Sequence, residues 1–403
     1  MLVPIVEIEG KDVSRYFISC HAEQTANQTK DPGKYDLTLA NINGWAYGAF
    51  GTSAAEQLMA GSVSLAPKIR VVVKCRNIQQ SCTGSTTTDI TLFRGEIQKA
   101  ECDELYVRIE GSCSEGGMSA AVSKERTWVN GEDIKTIVND LLDMFEYTGV
   151  RHIFPYNNQP PDRTPEISAF LDFDTAMTIV ANWAQSIYFF DENDEFWFVP
   201  PADLRGFSDL SRIVLRGSQS NSAVGFCTVV RVEGHAVDEV KPNEDGSEIP
   251  SQRTVFGYAE APADILNAYG KIYAPVVRVP NCNQEECQKI AERLLNWYLQ
   301  YKDVPSVRIV GRAPGLLSKV QYYPFNNNLP PSSCRAGSGS RTLGKIAGLV
   351  TRRVIDFSAD TGLVTTLDVA QNFMSAGVVD PTGKYSYDTS QPGWDDDPAV
   401  VNK

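Results

Sequence analysis

Residues 91–111, TLFRGEIQKAECDELYVRIEG, decide the fold class of this chain. Apolar and polar residues alternate along 91–100 and again along 105–111, on either side of the polar turn ECDE at 101–104. Alternation with period two puts successive side chains on opposite faces of a strand, so the stretch predicts a β-hairpin. Similar alternation recurs through residues 1–120 and predicts antiparallel sheet there, in a barrel or a sandwich.

The second half of the chain repeats this signal and ends in another hairpin. Residues 347–357 and 363–370 alternate around the turn SADTG at 358–362. Three short matches between the halves point to an internal duplication: VEIEG at 6–10 with VRVEG at 230–234, VRIEG at 107–111 with VRIVG at 307–311, and GEIQK at 95–99 with GLVTR at 348–352. Such motifs are common in strands and their order differs between the halves, so related and unrelated barrels both stay open.

Three segments follow the helical period instead, with their apolar residues on one face. The pattern predicts helices over residues 132–147, 174–185 and 284–301. Asn130 is the expected N-cap of the first helix, and Asn283 with Glu286 forms a capping-box start for the third. Each one-faced helix can cover a sheet without any catalytic role.

A second kind of hairpin follows the first two helices. The aromatic runs IYFF at 187–190 and EFWFV at 195–199 flank the acidic turn DEND at 191–194. Helices and hairpin together predict a small α+β unit, and the polar stretch 238–252 predicts a loop. The fold class is therefore α+β and mainly β.

Composition limits the function. The 403 residues are 42% hydrophobic and 22% charged, which is typical of a globular chain of several domains. Apolar runs stay shorter than 18 residues, and MLVPIVEIEG at the start lacks the regions of a secretion signal, so we expect no membrane span and synthesis in the cytoplasm. A net charge of −13 argues against a surface that grips nucleic acid, but it suits a channel wall that DNA slides past.

The cysteine pattern favours thiols over metal sites or disulfides. There are nine cysteines, an odd number, and none forms the C-x-x-C pair that is typical of zinc sites. We expect reduced, mostly buried thiols, as in other proteins of the cytoplasm. The cysteines are Cys20, Cys75, Cys82, Cys102, Cys113, Cys227, Cys282, Cys287 and Cys334.

Several stretches carry a family resemblance through their order along the chain. They are IEGKDVS at 8–14, YDLTLAN at 35–41, the helix and hairpin at 176–200, the helix and strand at 291–299 and 306–311 with LL at 316–317, and the closing hairpin at 346–370. In this order they resemble the baseplate hub proteins of phage tails (late control type). They are also similar to the counterparts of those proteins in type VI secretion spikes, and to the hub portion of tail-associated proteins in long non-contractile tails.

The resemblance implies two tube-type antiparallel β-barrels with two small α/β units inserted or appended. The expected division is a first barrel at 1–120, an α+β middle domain at 121–210, a second barrel at 211–237 with 304–372, an inserted helical/β unit at 238–303, and a loose C-terminal tail at 373–403. It further implies a homotrimer whose six barrels form a ring that matches a hexameric tail tube. The implied location is the virion tail or the baseplate of an injection machine, assembled in the host cytoplasm.

The same resemblance implies the partners. These are the tail tube or distal tail protein, a spike or tip protein, and a tape-measure protein in the lumen, without sequence-specific nucleic-acid binding. Long polar segments at 326–341 and 373–403 are candidate contact arms, because long loops in compact domains are often functional.

Residues with catalytic or metal-binding potential do not form a motif. His21, His152 and His235 lie far apart in sequence, and HExxH, GxSxG, Walker A and GxGxxG patterns are absent from the sequence. We therefore expect no enzyme activity, no cofactor, and no catalytic, cofactor-binding or metal-binding residue.

Two stretches have a functional alternative. The acidic residues 191–195 lack the spacing of an EF-hand, so they predict a solvated hairpin tip rather than a calcium site. The nearby aromatic residues predict a buried core, with a carbohydrate platform as the alternative: Trp183, Tyr188, Phe189, Phe190, Phe196, Trp197 and Phe198. A structural tail-tip hub is thus the predicted function, and a receptor- or glycan-binding tail protein and a cell-wall hydrolase are the rivals.

Overall fold

The computed structural model describes the chain in these parts: residues 2–26, 33–42, 44–46, 63–81, 84–114, 118, 121–161, 164–200, 207–210, 214–220, 226–242, 248–299, 304–311, 313–322 and 346–370. The predicted contact arms at 326–341 and 373–403 lie outside the described residues. Cys82 and Cys334 lie outside them as well.

The three predicted helices are confirmed, and among the described residues a short α-helix accompanies them. The helices are α1 (Ile134–Met144), α2 (Phe173–Trp183), α3 (Ala263–Tyr269) and α4 (Gln284–Leu299). The predicted N-cap Asn130 is wrong, because the side chain of Asp133 accepts the hydrogen bond from Thr136 N at 2.7 Å. The capping box of α4 is confirmed: Asn283 N donates to Glu286 Oε2 at 2.8 Å and Glu286 N donates to Asn283 Oδ1 at 3.0 Å.

Strands make up most of the remaining described residues. They are β1 (Leu2–Ile8), β2 (Lys11–Asp12), β3 (Phe17–Thr25), β4 (Lys34–Ala40), β5 (Arg70–Ser81), β6 (Gly84–Cys102), β7 (Tyr106–Ser112), β8 (Arg126–Thr127), β9 (Arg151–Ile153), β10 (Glu166–Ile167), β11 (Ile187–Phe190), β12 (Phe196–Val199), β13 (Phe207–Asp209), β14 (Val214–Ser220), β15 (Val229–Pro242), β16 (Glu248–Glu260), β17 (Val277–Arg278), β18 (Val304–Val310), β19 (Lys319–Tyr322), β20 (Ile346–Ser358) and β21 (Gly362–Ala370). The predicted hairpins β6–β7, β11–β12 and β20–β21 are confirmed.

One large sheet joins both halves of the chain. Among the described residues it contains thirteen strands, in the order β14-β18-β21-β20-β3-β4-β7-β6-β5-β1-β2, with β19 beside β20 and β13 beside β19. The halves meet where β3 pairs antiparallel with β20. The mainly β, α+β class is confirmed, whereas the two tube-type barrels stay a prediction: within the described residues no barrel closes, and the strands form one open ladder. The physical reason is that β3 and β20 satisfy each other's edge hydrogen bonds.

The two halves of this sheet have the same topology. In chain order, β3 to β7 lie side by side as β3-β4-β7-β6-β5, and β14, β18, β19, β20 and β21 lie as β14-β18-β21-β20-β19. All neighbours within each set are antiparallel. We name these sets the first repeat (β3 to β7) and the second repeat (β14 and β18 to β21).

Strand register confirms the duplication in detail, because β-bulges occur at equivalent places. In β6–β7 the pair of Ile97 with Gly111 is followed by the pair of Lys99 with Glu110, so the ladder skips Gln98. In β20–β21 the pair of Val350 with Val369 is followed by the pair of Arg352 with Asp368, so the ladder skips Thr351. In β3–β4 the pairs run from Phe17 with Leu39 to Ser19 with Thr38, and in β14–β18 from Val214 with Ile309 to Arg216 with Arg308. Each repeat therefore skips one residue at the same two positions of its ladder.

A glycine marks the same close approach in both repeats. A Cβ on Gly95 would lie 2.2 Å from Ser112 O, and a Cβ on Gly348 would lie 2.2 Å from Ala370 O. Of the three sequence matches, GEIQK with GLVTR is thus confirmed in register. The other two are wrong, because β18 takes the place of β4 rather than of β7, and β15 belongs to another sheet than β1. A short alternating motif fits any strand, so it cannot specify which strand it matches.

The strand β15 lies outside the large sheet, which corrects its expected place in the second barrel at 211–237. It pairs antiparallel with β16 and parallel with β17. The predicted loop at 238–252 is also wrong, since β15 runs to Pro242 and β16 begins at Glu248. The hydropathy pattern does not predict the β15–β16 pair, because main-chain hydrogen bonds, which hydropathy does not report, hold the two strands together. Helix α4 covers it closely: a Cβ on Gly257 would lie 2.0 Å from Cys287 O.

The unit formed by α1, α2, β9, β11 and β12 packs between two hydrophobic clusters. Successive residues of β11 point to opposite sides, as expected of a strand. Tyr188 and Phe190 join the core that the first repeat shares with α1, α2 and α4, whereas Ile187 and Phe189 join the core of the second repeat. The middle unit is therefore part of both cores.

Candidate functional site

The junction of β3 with β20 is the main functional candidate, since it fixes one repeat against the other. Cys20 lies opposite Phe357 and Ala22 lies opposite Ile355, and all four side chains are buried. The ring of Phe17 lies 5.1 Å from that of Phe357. Burial of this apolar pairing makes the two repeats one folded unit.

Ion pairs and a histidine–aspartate hydrogen bond line the exposed face of the same junction. Arg352 Nε lies 2.6 Å from Glu23 Oε1, and Arg352 Nη1 lies 3.2 Å from Asp368 Oδ2. His21 Nδ1 lies 2.7 Å from Asp356 Oδ1. Because these side chains are partly exposed to water, each pair contributes at most about 1 kcal/mol.

A buried ion pair ties the junction to the middle unit. Arg353 Nη2 donates to Leu92 O on β6 at 2.9 Å, and Arg353 Nη1 lies 3.5 Å from Glu192 Oε2. Sequence reasoning missed this residue. Arg353 lies on the same face of β20 as the buried Ile355 and Phe357. A charged residue among the apolar residues of one strand face is therefore the sequence signal that could have identified it.

The acidic turn between β11 and β12 is buried against the first repeat, so the prediction of a solvated tip is wrong. Asp191 Oδ1 accepts hydrogen bonds from Asn193 N at 2.9 Å and from Glu195 N at 3.1 Å, and Asp191 Oδ2 accepts one from Trp197 Nε1 at 3.1 Å. Ser114 N donates to Asp194 Oδ1 at 2.8 Å. Polar partners within the protein replace water at these carboxylates.

Burial changes the chemistry of one of these acids. Desolvation raises the pKa of Asp194 to about 6, although the hydrogen bonds from Ser114 and the charge of Arg70 act in the opposite direction. Over the described residues, no three His, Cys, Asp or Glu side chains are grouped so that they could hold a metal ion.

The three histidines lie on different strands and are not brought together. His21 is at the junction, on β3. His152 Nε2 lies 2.8 Å from Glu195 Oε2, and its ring stacks on Trp197 at 4.0 Å. His235 Nδ1 lies 2.8 Å from Cys282 O, a backbone oxygen. Each imidazole therefore has a local structural partner.

The predicted aromatic core is confirmed. Six of its seven members are buried: Trp183, Tyr188, Phe189, Phe190, Phe196 and Phe198. Trp197 is the partly exposed one, and its ring lies parallel to Phe189 at 6.2 Å, with an interplanar angle of 4°. A flat platform of several exposed rings, as sugar binding would need, is not formed by these residues.

The cysteines and helices of the described parts add two findings. Six of the seven described cysteines are buried, and no disulfide joins any of the seven. Burial raises the pKa of the Cys287 thiol to about 11.

In the same described parts, the helices are too short or too polar to cross a bilayer.

Comparison with known proteins gives matches in structure only. No protein-family model matches the sequence, and no curated protein does. The structure is similar to the tail protein from Neisseria meningitidis MC58, with a TM-score of 0.56, 12% identity, and coverage of 92% of this chain and 97% of that one. It is also similar to the 43 kDa tail protein of prophage MuSo2 from Shewanella oneidensis, with a TM-score of 0.53, 10% identity, and coverage of 92% and 98%. This chain therefore has the fold of these two tail proteins, which confirms the predicted resemblance at the level of the fold.

Proposed function

We propose that the chain is a structural hub at the tip, or baseplate, of a phage tail or a related injection machine, and that it has no enzyme activity. One observation carries this proposal: the large sheet consists of two repeats with the same strand order and the same bulges. A chain with two equivalent repeats can meet six-fold symmetry with three copies. The similarity to two tail proteins adds support.

In this proposal three chains form a pseudo-six-fold ring that adapts a hexameric tail tube to a three-fold tip. The ring leaves a channel for DNA or a tape-measure protein, and the net charge of −13 keeps phosphate from binding to its wall. The tube or distal tail protein binds one side and the spike or tip protein binds the other. The protein resides in the virion tail after assembly in the host cytoplasm.

The proposed division of the chain follows the sequence prediction, with β15 moved. The tube-like parts are 1–120 and the second repeat, the middle domain is 121–210, and β15 joins the inserted unit with β16 and α4. The middle and inserted units lie outside the ring. The tail at 373–403 stays a proposed contact arm.

Sedimentation and electron microscopy of the purified protein test this function. We expect a trimer that appears as a ring with six similar lobes, and binding to the tube protein of the same tail. A protein that stays monomeric at high concentration and does not bind the tube protein would contradict the hub.

One observation favours a second candidate, a glycan-binding tail protein. Trp197 is partly exposed and stacks on His152, and a single exposed indole can bind one sugar ring. Binding on a glycan array that is lost in Trp197→Ala and kept in Trp183→Phe would support this candidate. Turnover of peptidoglycan would instead support a cell-wall hydrolase.

A further inference from the structure

The junction pairs the first strand of one repeat with the fourth strand of the other. The reverse combination would join β14, the first strand of the second repeat, to β6, the fourth strand of the first. Within the described part of the chain, β14 pairs with β18 alone and ends the sheet. The end of β6, from Lys99 to Cys102, pairs with β7 on one side, while β5 reaches only to Glu96 on the other.

Exposed apolar side chains lie beside both of these edges. The register of the hairpins makes Leu105 and Tyr106 the equivalents of Leu363 and Val364. Leu363 and Val364 are 3% and 8% exposed, and Leu363 belongs to the core of the first repeat. Leu105 and Tyr106 are 66% and 40% exposed. The first repeat therefore covers Leu363 and Val364 of the second repeat, whereas the equivalent residues of the first repeat, Leu105 and Tyr106, are exposed.

The edge strand β14 has an apolar residue at its own bulge. Leu215 is 57% exposed, and it lies where Ile18 of β3 lies at the junction. A strand edge with unpaired main-chain groups and a neighbouring apolar patch is a site for pairing with another strand. Strand β14 is equivalent to β3, and β6 is equivalent to β20. Because β3 and β20 already pair inside the chain, the edges of β14 and β6 complement each other.

We propose that β14 of one copy pairs antiparallel with the end of β6 in a second copy of this chain, in the register of the β3–β20 junction. Because Ala22 lies opposite Ile355 and Glu23 opposite Val354, the equivalent pairs are Gln219 with Cys102 and Ser220 with Glu101. Leu105 and Tyr106 are covered in the contact. It is a head-to-tail contact, which repeats from copy to copy until a ring closes. The proposal rests on the homo-oligomer of the proposed function and names its interface.

A single substitution tests the register, because one partner is already a cysteine. Residues directly opposite in an antiparallel pair have Cα atoms about 4.5–5.5 Å apart, which suits a disulfide. Mild oxidation of Gln219→Cys should therefore give disulfide-linked oligomers on a non-reducing gel. Removing the partner in Gln219→Cys/Cys102→Ser should abolish them.

A register control and a mixing experiment complete the test. Ser218→Cys places the thiol opposite Asp103, and neighbouring strand residues point to opposite faces, so we expect little cross-linking. Mixing Gln219→Cys/Cys102→Ser with the unsubstituted chain should give a covalent dimer, which shows that the contact joins two copies. Unchanged sedimentation and melting of each reduced variant check that the protein still folds and assembles.

The outcomes separate this contact from the proposed function. A trimer in which Gln219→Cys fails to cross-link, or cross-links no better than Ser218→Cys, would overturn the contact and leave the hub intact. A chain that stays monomeric at every concentration would overturn both.

Discussion

Arg353 Nη1 lies 3.5 Å from Glu192 Oε2, with only 4% and 13% of the two side chains exposed. Arg353 comes from β20 of the second repeat, and Glu192 from the hairpin turn of the middle unit. The same guanidinium donates to Leu92 O of the first repeat. One buried arginine therefore connects three parts of the chain that lie far apart in sequence.

Arg353→Met should destabilise the protein by about 3–5 kcal/mol, because it removes a buried guanidinium that contacts both Glu192 Oε2 and Leu92 O. Thermal unfolding followed by circular dichroism measures the effect. Arg352→Met is the matched control, since the neighbouring ion pairs are partly exposed and it should cost about 1 kcal/mol or less per pair. Equal losses for both variants would contradict the special role of Arg353.

Gly95→Ala and Gly348→Ala should each destabilise the fold, by about 1–3 kcal/mol or more. The added methyl group would meet a backbone oxygen at 2.2 Å in both repeats. Gly33→Ala is the control, because its nearest neighbour would lie 3.5 Å away, at an ordinary contact distance. Chemical denaturation measures all three. A stable Gly348→Ala beside an unstable Gly95→Ala would show that the repeats are not equivalent there.

Leu294→Asp should prevent folding or cost about 4 kcal/mol or more, because it puts a charge on the buried face of α4. Leu294 belongs to the core that α4 shares with β15 and the first repeat. Asn296→Asp introduces the same side chain at an exposed position of this helix and should change stability little. The yield of soluble protein and its melting temperature compare the two variants. A normal melting temperature for Leu294→Asp would contradict the packing of α4.

Asp194 should make stability depend on pH between about 4 and 6. Its pKa is raised from 3.8 to about 6 in the folded protein, so the folded state binds more protons than the unfolded state in this window. Stability therefore falls as pH rises through it, by about 3 kcal/mol in all.

Asp194→Asn should remove this slope. Relative to the unsubstituted protein, the variant should gain stability from pH 4 to pH 7.5, as measured by melting temperature at several pH values. Asp360→Asn, in an exposed turn, is the control and should leave the slope unchanged. A parallel slope in Asp194→Asn would mean that other groups cause the pH dependence.

Local patterns predicted the secondary structure well. The three periodic helices, the capping box at Asn283 and the hairpins β6–β7, β11–β12 and β20–β21 follow from neighbouring residues alone. Burial of the aromatic core also follows, because alternation along β11 and β12 fixes two faces. These features depend on contacts close in sequence, which periodicity reports directly.

The partners of the strands could not be read in the same way. The motif VRIVG at 307–311 resembles VRIEG at 107–111, yet β18 takes the place of β4. The pairing of β15 with β16 was hidden because the stretch is polar. The turn at 191–194 looks like a solvated tip in sequence, but tertiary packing buries Asp191 and Asp194.

The sequence by itself determined the three longer helices, the three hairpins, the mainly β class and the likeness to tail proteins. Only the tertiary structure decided that the two halves are equivalent repeats, that β3 and β20 join them into one sheet, and that Arg353 is buried at their junction. The physical reason is that strand pairing uses main-chain hydrogen bonds, which are nearly the same for every residue. The choice between partners is made by long-range packing, which no local pattern contains.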